Sequence, residues 1–201
     1  MNFLSIDCST DVGSLFIKTQ NKTFSKILQS DKSNNDLLTK HILDFFTQNN
    51  LKLDDISNIF VNQGPGNFSG LRGSLATAKG ISLSKNLKLF GYNTFVWSCT
   101  KFYNKSNTIY SILKFGKKYF LKKFNNKLIS RSKAVEITKE EIVKNYSKKF
   151  KVIEKRATKY FDDKILKLNN LNIADLDHKD LEFLKLRDLL DKDWLKPLYL
   201  N

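Results

Sequence analysis

Residues 62–80, NQGPGNFSGLRGSLATAKG, are the part of the sequence best suited to a binding function. Gly64 and Gly66 flank a proline, and this arrangement predicts a tight turn that leads into a helix capped by Asn67 or Ser69. Such a helix start can hold an anion, because its first N–H groups have no partners within the helix. Gly64 and Gly66 are therefore candidate contacts for an anion or a nucleotide.

The helix predicted over residues 67–86 carries small residues along one side. Gly73, Ala76 and Gly80 stand at positions i, i+3 and i+7, where they form a stripe that another helix can approach closely. Glycine inside a helix costs about 0.5–1 kcal/mol relative to alanine, so the stripe should have a compensating role. Periodicity alone favours packing against the chain's own neighbouring helix over a partner surface.

Other residues capable of chemistry are sparse. The two histidines, His41 and His178, lie far apart in the sequence, so we expect structural or surface roles for them and no metal site. Cys8 and Cys99 lack the spacing of a metal clip or a redox pair, and we expect reduced thiols in the core. No arrangement typical of nucleophilic catalysis is present, so we predict no catalytic residues.

The composition is that of a globular protein. The 201 residues are 41% hydrophobic, with 8 Gly and 2 Pro, which is enough apolar material for a core. No apolar run approaches the ~20 residues that cross a bilayer, and the start MNFLSIDCST lacks the pattern of a signal peptide. We therefore expect a cytoplasmic protein without membrane contact.

The net charge of +15 is concentrated in residues 101–167, which have 20 basic and 6 acidic side chains. Part of this segment interleaves lysines with aromatic residues, a pattern that can follow an RNA backbone. Apolar residues at alternate positions also fit a strand with solvated lysines, and the general abundance of Lys and Asn favours this simpler interpretation. The candidate RNA contacts are Lys117, Lys118, Lys122 and Lys123.

The order of predicted elements indicates an α/β protein with two lobes. Residues 1–104 contain a three-strand meander, an amphipathic helix over 34–49, a short strand, the helix over 67–86 and a last strand. Residues 105–201 repeat the meander with strands at 108–113, 117–124 and 127–132, followed by a helix at 138–146. A final helix at 177–191 can pack back on the first lobe. We predict a second lobe that is reduced in size.

Three motifs together resemble the TsaB (YeaZ) family. They are IDCST at residues 6–10, GPGNFSGLRGSLATAKG at 64–80 and PLYL at 197–200. The resemblance is strong over about the first half of the chain and thin over residues 101–195. It implies the actin-like ATPase fold of Hsp70, hexokinase and actin, with two lobes that each contain a mixed sheet and helices.

The resemblance also implies a function. Family members are non-catalytic scaffold subunits that bind the catalytic subunit TsaD and, with the ATPase TsaE, support transfer of a threonylcarbamoyl group to tRNA. The modified adenosine lies beside the anticodon of tRNAs that read codons starting with A. We expect no cofactor for this chain alone, ATP and metal in the catalytic partner, tRNA contact through the complex, and a capacity for homodimerisation when the partner is missing. The two separate histidines cannot form the H-x-x-x-H metal pair of the catalytic relatives.

The resemblance assigns the heterodimer surface to the two amphipathic helices, which reverses the preference that periodicity gave for the small-residue stripe. We expect a partner helix to approach this surface. The candidate interface residues are Leu37, Leu38, Ile42, Phe68, Leu71, Arg72, Gly73, Leu75, Ala76, Lys79 and Gly80.

Two other functions remain as alternatives. Asp7 ends the first predicted strand, where actin-fold ATPases place a carboxylate near the nucleotide's metal ion, and this keeps an independent ATPase or a sugar-kinase-like enzyme open. The turn over residues 8–13 lacks the glycines of a phosphate-binding hairpin, so we expect no ATP hydrolysis by this chain alone. A basic tRNA-binding module is the second alternative.

Overall fold

Two five-stranded mixed sheets organise the chain. The structure is a computed structural model that describes residues 1–28 and 37–200. One sheet lies in unit 1, which consists of Met1–Thr94 and Leu190–Tyr199, and the other lies in unit 2, which is Phe95–Leu189. In this division the final helix belongs to unit 2, and the segment that follows it belongs to unit 1.

The sheet of unit 1 has the strand order β3-β2-β1-β4-β5. Its strands are β1 (Phe3–Asp7), β2 (Gly13–Lys18), β3 (Thr23–Leu28), β4 (Asn58–Asn62) and β5 (Lys88–Tyr92). The first three strands pair antiparallel as a meander, whereas β4 and β5 continue the sheet in parallel. Parallel neighbours need crossover connections, and α1 (Leu38–Gln48) and α2 (Phe68–Lys85) supply them.

The core of unit 1 lies between its sheet and these two helices. Because side chains alternate along a strand, Leu4 and Ile6 point toward the helices while Asp7 lies on the other face. The helices contribute apolar residues at helical spacing to the same core. These residues are Leu38, Ile42, Phe45 and Phe46 of α1 and Leu75, Ala78 and Ile81 of α2.

The sheet of unit 2 repeats this topology with the order β10-β9-β6-β7-β8. Its strands are β6 (Thr108–Phe115), β7 (Lys118–Asn125), β8 (Val135–Ile137), β9 (Lys151–Glu154) and β10 (Leu171–Ala174). The remaining helices are α3 (Thr94–Cys99), α4 (Lys139–Asn145), α5 (Asp163–Leu166) and α6 (Asp180–Leu186). Across residues 1–28 and 37–200, no helix combines the length and apolar character needed to span a membrane.

Two predicted elements have different bounds in the structure, and a third has a bound that the structure does not test. The third strand of the second meander forms at Val135–Ile137 instead of 127–132, because Leu128 takes a left-handed φ of 59° and a turn occupies that stretch. Helix α6 is shorter than the predicted 177–191, since Asp188 has a left-handed φ of 56°. The predicted start of the first amphipathic helix, at residue 34, lies outside the described residues.

A buried lysine stabilises the loops at one end of unit 2. Lys151 is 0% exposed, and its ammonium group donates to the backbone carbonyls of Tyr146, Ser147, Lys149 and Asn169 at 2.7–2.9 Å. These carbonyls belong to the turn after α4 and to the turn before β10. One side chain therefore ties together two loops that approach the start of β9.

We expect Lys151→Met to destabilise unit 2 by about 2–4 kcal/mol, because it removes the hydrogen bonds from the buried ammonium group to four backbone carbonyls of two loops. Trp97 is buried in unit 2 and reports its unfolding by fluorescence, whereas Trp194, the other tryptophan, is already exposed. Urea unfolding in a Trp194→Phe background measures the change. The control is Lys149→Met, which removes an exposed lysine next to the same loop; equal stabilities for the two variants would contradict this role of Lys151.

Candidate functional site

The three sequence motifs meet at one place in unit 1, around the carboxylate of Asp7. Asp7 is 0% exposed at the end of β1. One of its oxygens accepts hydrogen bonds from the Ser9 N–H at 3.1 Å, the Ser9 hydroxyl at 2.6 Å and the Asn62 amide at 2.9 Å. The same Asn62 amide lies 3.1 Å from the Thr94 hydroxyl. This network joins the ends of β1 and β4.

The glycine-rich turn packs directly on the backbone that follows β1. A Cβ atom on Gly66 would overlap the Ser9 carbonyl oxygen, and one on Gly70 would overlap the Cys8 carbonyl oxygen. The Asn67 N–H donates to the Ser9 carbonyl at 2.8 Å. Glycine is required at both positions because two backbone segments approach each other there without room for a side chain.

The C-terminal motif completes this cluster. We call Leu190–Tyr199 the C-terminal strap. Its Leu198 N–H donates to the Gln63 carbonyl at 2.7 Å, and the Gln63 side-chain amide donates to the Lys196 carbonyl at 3.1 Å. The strap thus binds to the residue immediately before the glycine-rich turn. All three motifs of the family resemblance serve the same packing arrangement.

Two of the three groups proposed for an anion or nucleotide contact, Asp7 and Gly64, have hydrogen-bond partners within unit 1. The Gly64 N–H donates to the Asn62 side chain at 2.8 Å. Asn67, one of the two predicted caps, is the residue that caps α2. Its side-chain oxygen accepts hydrogen bonds from the N–H groups of Ser69 and Gly70. In this structure Asp7, Gly64 and Gly66 therefore organise the motif cluster.

Both cysteines are free and buried, as the sequence predicts. Burial, followed by the negative charge of Asp7, raises the pKa of Cys8 to about 12. Burial likewise raises the pKa of Cys99 to about 12, against the opposing hydrogen bonds from Ser98 and Ser111. Both thiols stay protonated near neutral pH and are poor nucleophiles. Among residues 1–28 and 37–200, no three His, Cys, Asp or Glu side chains are grouped to bind a metal ion.

The outer face of α2 is exposed and carries the small-residue stripe. Ala76 and Gly80 are exposed, Gly73 is half-buried, and a Cβ atom on Gly80 would meet nothing within 4 Å. Two large apolar side chains lie at the ends of this helix, Phe68 at 55% exposure and Leu83 at 84%. Within the described part of the chain, Ala76 and Gly80 are therefore uncovered, contrary to packing on the chain's own neighbouring helix.

Four of the candidate interface residues require a correction. Leu38, Ile42, Leu71 and Leu75 are 0–3% exposed and form part of the interior of unit 1. They hold α1 and α2 on the sheet and present no surface to a partner. The accessible candidates are Leu37, Phe68, Arg72, Ala76, Lys79 and Gly80, with Gly73 partly accessible.

An aromatic stack extends the α2 face onto the C-terminal strap. The rings of Phe68 and Tyr199 are stacked, with centroids 5.4 Å apart, and the guanidinium carbon of Arg72 lies 4.8 Å from the centre of the Phe68 ring. Neither Tyr199 nor Trp194, which lies earlier in the same strap, is recognisable as a surface residue from the sequence. Nothing in the local sequence separates an exposed aromatic residue from a buried one.

The four lysines proposed for RNA contact do not form one surface. Lys122 and Lys123 are neighbours on β7, so their side chains point to opposite faces of the sheet. Lys118 forms an ion pair with Glu136 at 2.7 Å. Lys117 lies in the turn before β7. Buried Tyr119 and Leu121 belong to the core of unit 2, as the strand interpretation expects.

Comparison with known proteins agrees with this architecture. A family model described as TsaD, tRNA N6-adenosine threonylcarbamoyltransferase, matches residues 29–108. The tRNA threonylcarbamoyladenosine biosynthesis protein TsaB of Buchnera aphidicola subsp. Baizongia pistaciae (strain Bp) is 36% identical over 86 residues. That match covers 42% of this chain and 38% of the relative, so it spans well under two thirds of the relative's length.

Two solved structures cover nearly the whole chain. YeaZ from Pseudomonas aeruginosa has a TM-score of 0.70 over 99% of each chain, at 13% identity. A second Pseudomonas aeruginosa structure, of an uncharacterized protein with similarity to the peptidase YeaZ, has a TM-score of 0.72 at 13% identity and covers 100% of this chain and 99% of that one.

The two repeated mixed sheets and these structural neighbours define the actin-like ATPase fold, which confirms the predicted fold class. Within that fold, part of the chain is similar in sequence to TsaB and TsaD proteins, and nearly the whole chain is similar in fold to YeaZ.

A matched pair of glycine variants tests the motif cluster. We expect Gly70→Ala to destabilise unit 1 by about 3 kcal/mol, because the new methyl group overlaps the Cys8 carbonyl. Gly80→Ala should stabilise the chain by about 0.5–1 kcal/mol, since it adds helix propensity at a position with free space. Urea unfolding followed by circular dichroism measures both. If the two variants had the same free energy of unfolding, Gly70 could not lie as close to the Cys8 carbonyl as the structure shows.

Proposed function

We propose that this protein is a non-catalytic scaffold subunit that binds a TsaD-like catalytic subunit in the synthesis of threonylcarbamoyladenosine on tRNA. The observation that carries the proposal is the exposed face of α2, where Ala76 and Gly80 leave room for a partner helix. The sequence similarity to the TsaB protein of Buchnera aphidicola supports the same function. In this proposal the complex transfers a threonylcarbamoyl group to the adenosine beside the anticodon of tRNAs that read codons starting with A.

The α2 face suits a helical partner for a geometric reason. Small residues at helical spacing let two helix backbones approach closely, and the larger Phe68 and Leu83 at the two ends of the helix can pack around the partner. Helix α2 contains Arg72, Lys79 and Lys85 and no acidic residue. A partner surface with apolar and acidic side chains complements it best.

The buried position of Asp7 supports a scaffold role over independent catalysis. Its carboxylate is enclosed and bonded to Ser9 and Asn62, so it serves the packing of unit 1. We therefore assign ATP and metal to the catalytic partner. A TsaE-like ATPase and tRNA join through the complex in this proposal. The rival function, an independent actin-fold ATPase, requires ATP turnover by the purified chain without any partner.

Bulky substitutions on the stripe test the proposal. We expect Ala76→Leu and Gly80→Leu each to weaken binding to the TsaD-like protein of the same organism by at least about tenfold, since the added side chain keeps the partner helix at a distance. Isothermal titration calorimetry measures the affinity, and circular dichroism verifies that α2 remains folded.

The control for these variants is Lys144→Leu, which places the same side chain on the exposed surface of α4 in unit 2. It should bind the catalytic subunit like the wild type. Failure of the wild-type chain to bind, together with ATP turnover by the chain alone, would overturn the scaffold function. Unchanged binding by both stripe variants would overturn the assigned surface.

A further inference from the structure

Trp194 stands out on the surface of unit 1. Its side chain is 95% exposed, more than any other large hydrophobic residue described in the chain. Tryptophan offers a large apolar area and a single N–H donor, and it is enriched among the residues that dominate binding energy at protein interfaces. A tryptophan that is almost fully exposed on a folded segment is therefore a candidate for contact with another protein.

The C-terminal strap is fixed on both sides of Trp194. Before it, Asp191 and Gly91 exchange two backbone hydrogen bonds of 2.8 and 2.9 Å at the edge of β5. After it, Leu195 is 5% exposed and packs in the core of unit 1, and its carbonyl accepts a hydrogen bond of 2.8 Å from the Lys79 ammonium group. Trp194 thus projects from an anchored segment.

The backbone at Trp194 has an unusual conformation. Its φ of +51° lies in the left-handed region, which residues with large side chains seldom adopt. This conformation directs the indole outward while its neighbour Leu195 points into the core. Strained backbone of this kind is found preferentially at functional sites, where a partner or ligand makes use of it.

The strap contacts α2 at two positions. Lys79 of α2 bonds to the carbonyl of Leu195, the residue next to Trp194, and Tyr199 stacks on Phe68 at the first turn of the helix. The strap is therefore fixed beside the helix that carries the stripe. A partner helix seated on Ala76 and Gly80 would lie close to these two contacts.

We propose that the C-terminal strap is the second half of the partner surface and that Trp194 anchors it by entering an apolar pocket of the catalytic subunit. The inference rests on the proposed function. We expect carboxylates on the partner opposite Arg72 and Lys79 of α2, whereas beside Trp194 the strap carries both Lys192 and Asp193, so the apolar pocket needs no charge of one sign on its rim. A second copy of this chain is a poorer occupant, since its own α2 would bring like charges together.

Fluorine NMR tests the anchor directly. The chain has two tryptophans, so incorporation of 5-fluorotryptophan gives two signals, and Trp194→Phe assigns them. We expect addition of the unlabelled TsaD-like protein to shift the Trp194 signal and protect it from solvent, while the buried Trp97 signal stays nearly constant. Trp194→Ala should weaken binding by about 10- to 100-fold.

The control is Leu186→Ala, which removes another highly exposed apolar side chain, on α6 of unit 2, and should leave the affinity unchanged. If the wild-type chain and Trp194→Ala bind equally while Ala76→Leu does not bind, the anchor is refuted and the proposed function stands. If the wild type does not bind at all, the proposed function itself fails. A Trp194 signal that shifts only with rising concentration of the chain alone would identify a second copy as the occupant and overturn the proposal.

Discussion

The fold of unit 1 depends on the enclosed carboxylate of Asp7. A buried carboxylate is costly unless donors surround it, and here Ser9 and Asn62 supply them. Those bonds fix the chain after β1 and the end of β4 next to each other. The glycine-rich turn can then pack against the backbone of Cys8 and Ser9, which in turn sets the start of α2. The residues that resemble a nucleotide site therefore position a helix.

One side of α2 is buried and the other is exposed. Leu71, Leu75 and Ala78 are buried and hold the helix on the sheet, whereas Ala76 and Gly80 stay exposed on the opposite side. Under the proposed function, this division explains why Gly80 stands on an exposed helix face, where alanine or a longer side chain would be more favourable for an isolated helix. The C-terminal strap adds aromatic area next to the first turn of α2, and in the proposed function both belong to the partner surface.

Sequence patterns predicted the elements with strong local signals. The first meander, the first two strands of the second, α2 with its Asn67 cap, and α4 all follow from alternation, helical spacing and capping residues. β9 and β10 were missed because each has four residues and no alternation that separates it from a loop. The sequence does not show which candidate interface residues are buried, because their burial depends on tertiary packing. It also does not reveal the left-handed backbone at Trp194, on which the exposure of that side chain depends.

Hydrogen–deuterium exchange with and without the purified TsaD-like subunit is the sharpest test of the proposed partner surface. Binding should slow exchange in α2 and in the C-terminal strap, and it should leave exchange in the helices of unit 2 unchanged. Because the motif cluster already protects the start of α2, the largest change should fall on its exposed middle and last turns. Protection confined to unit 2, or a stable complex without any change in α2 and the strap, would contradict the account.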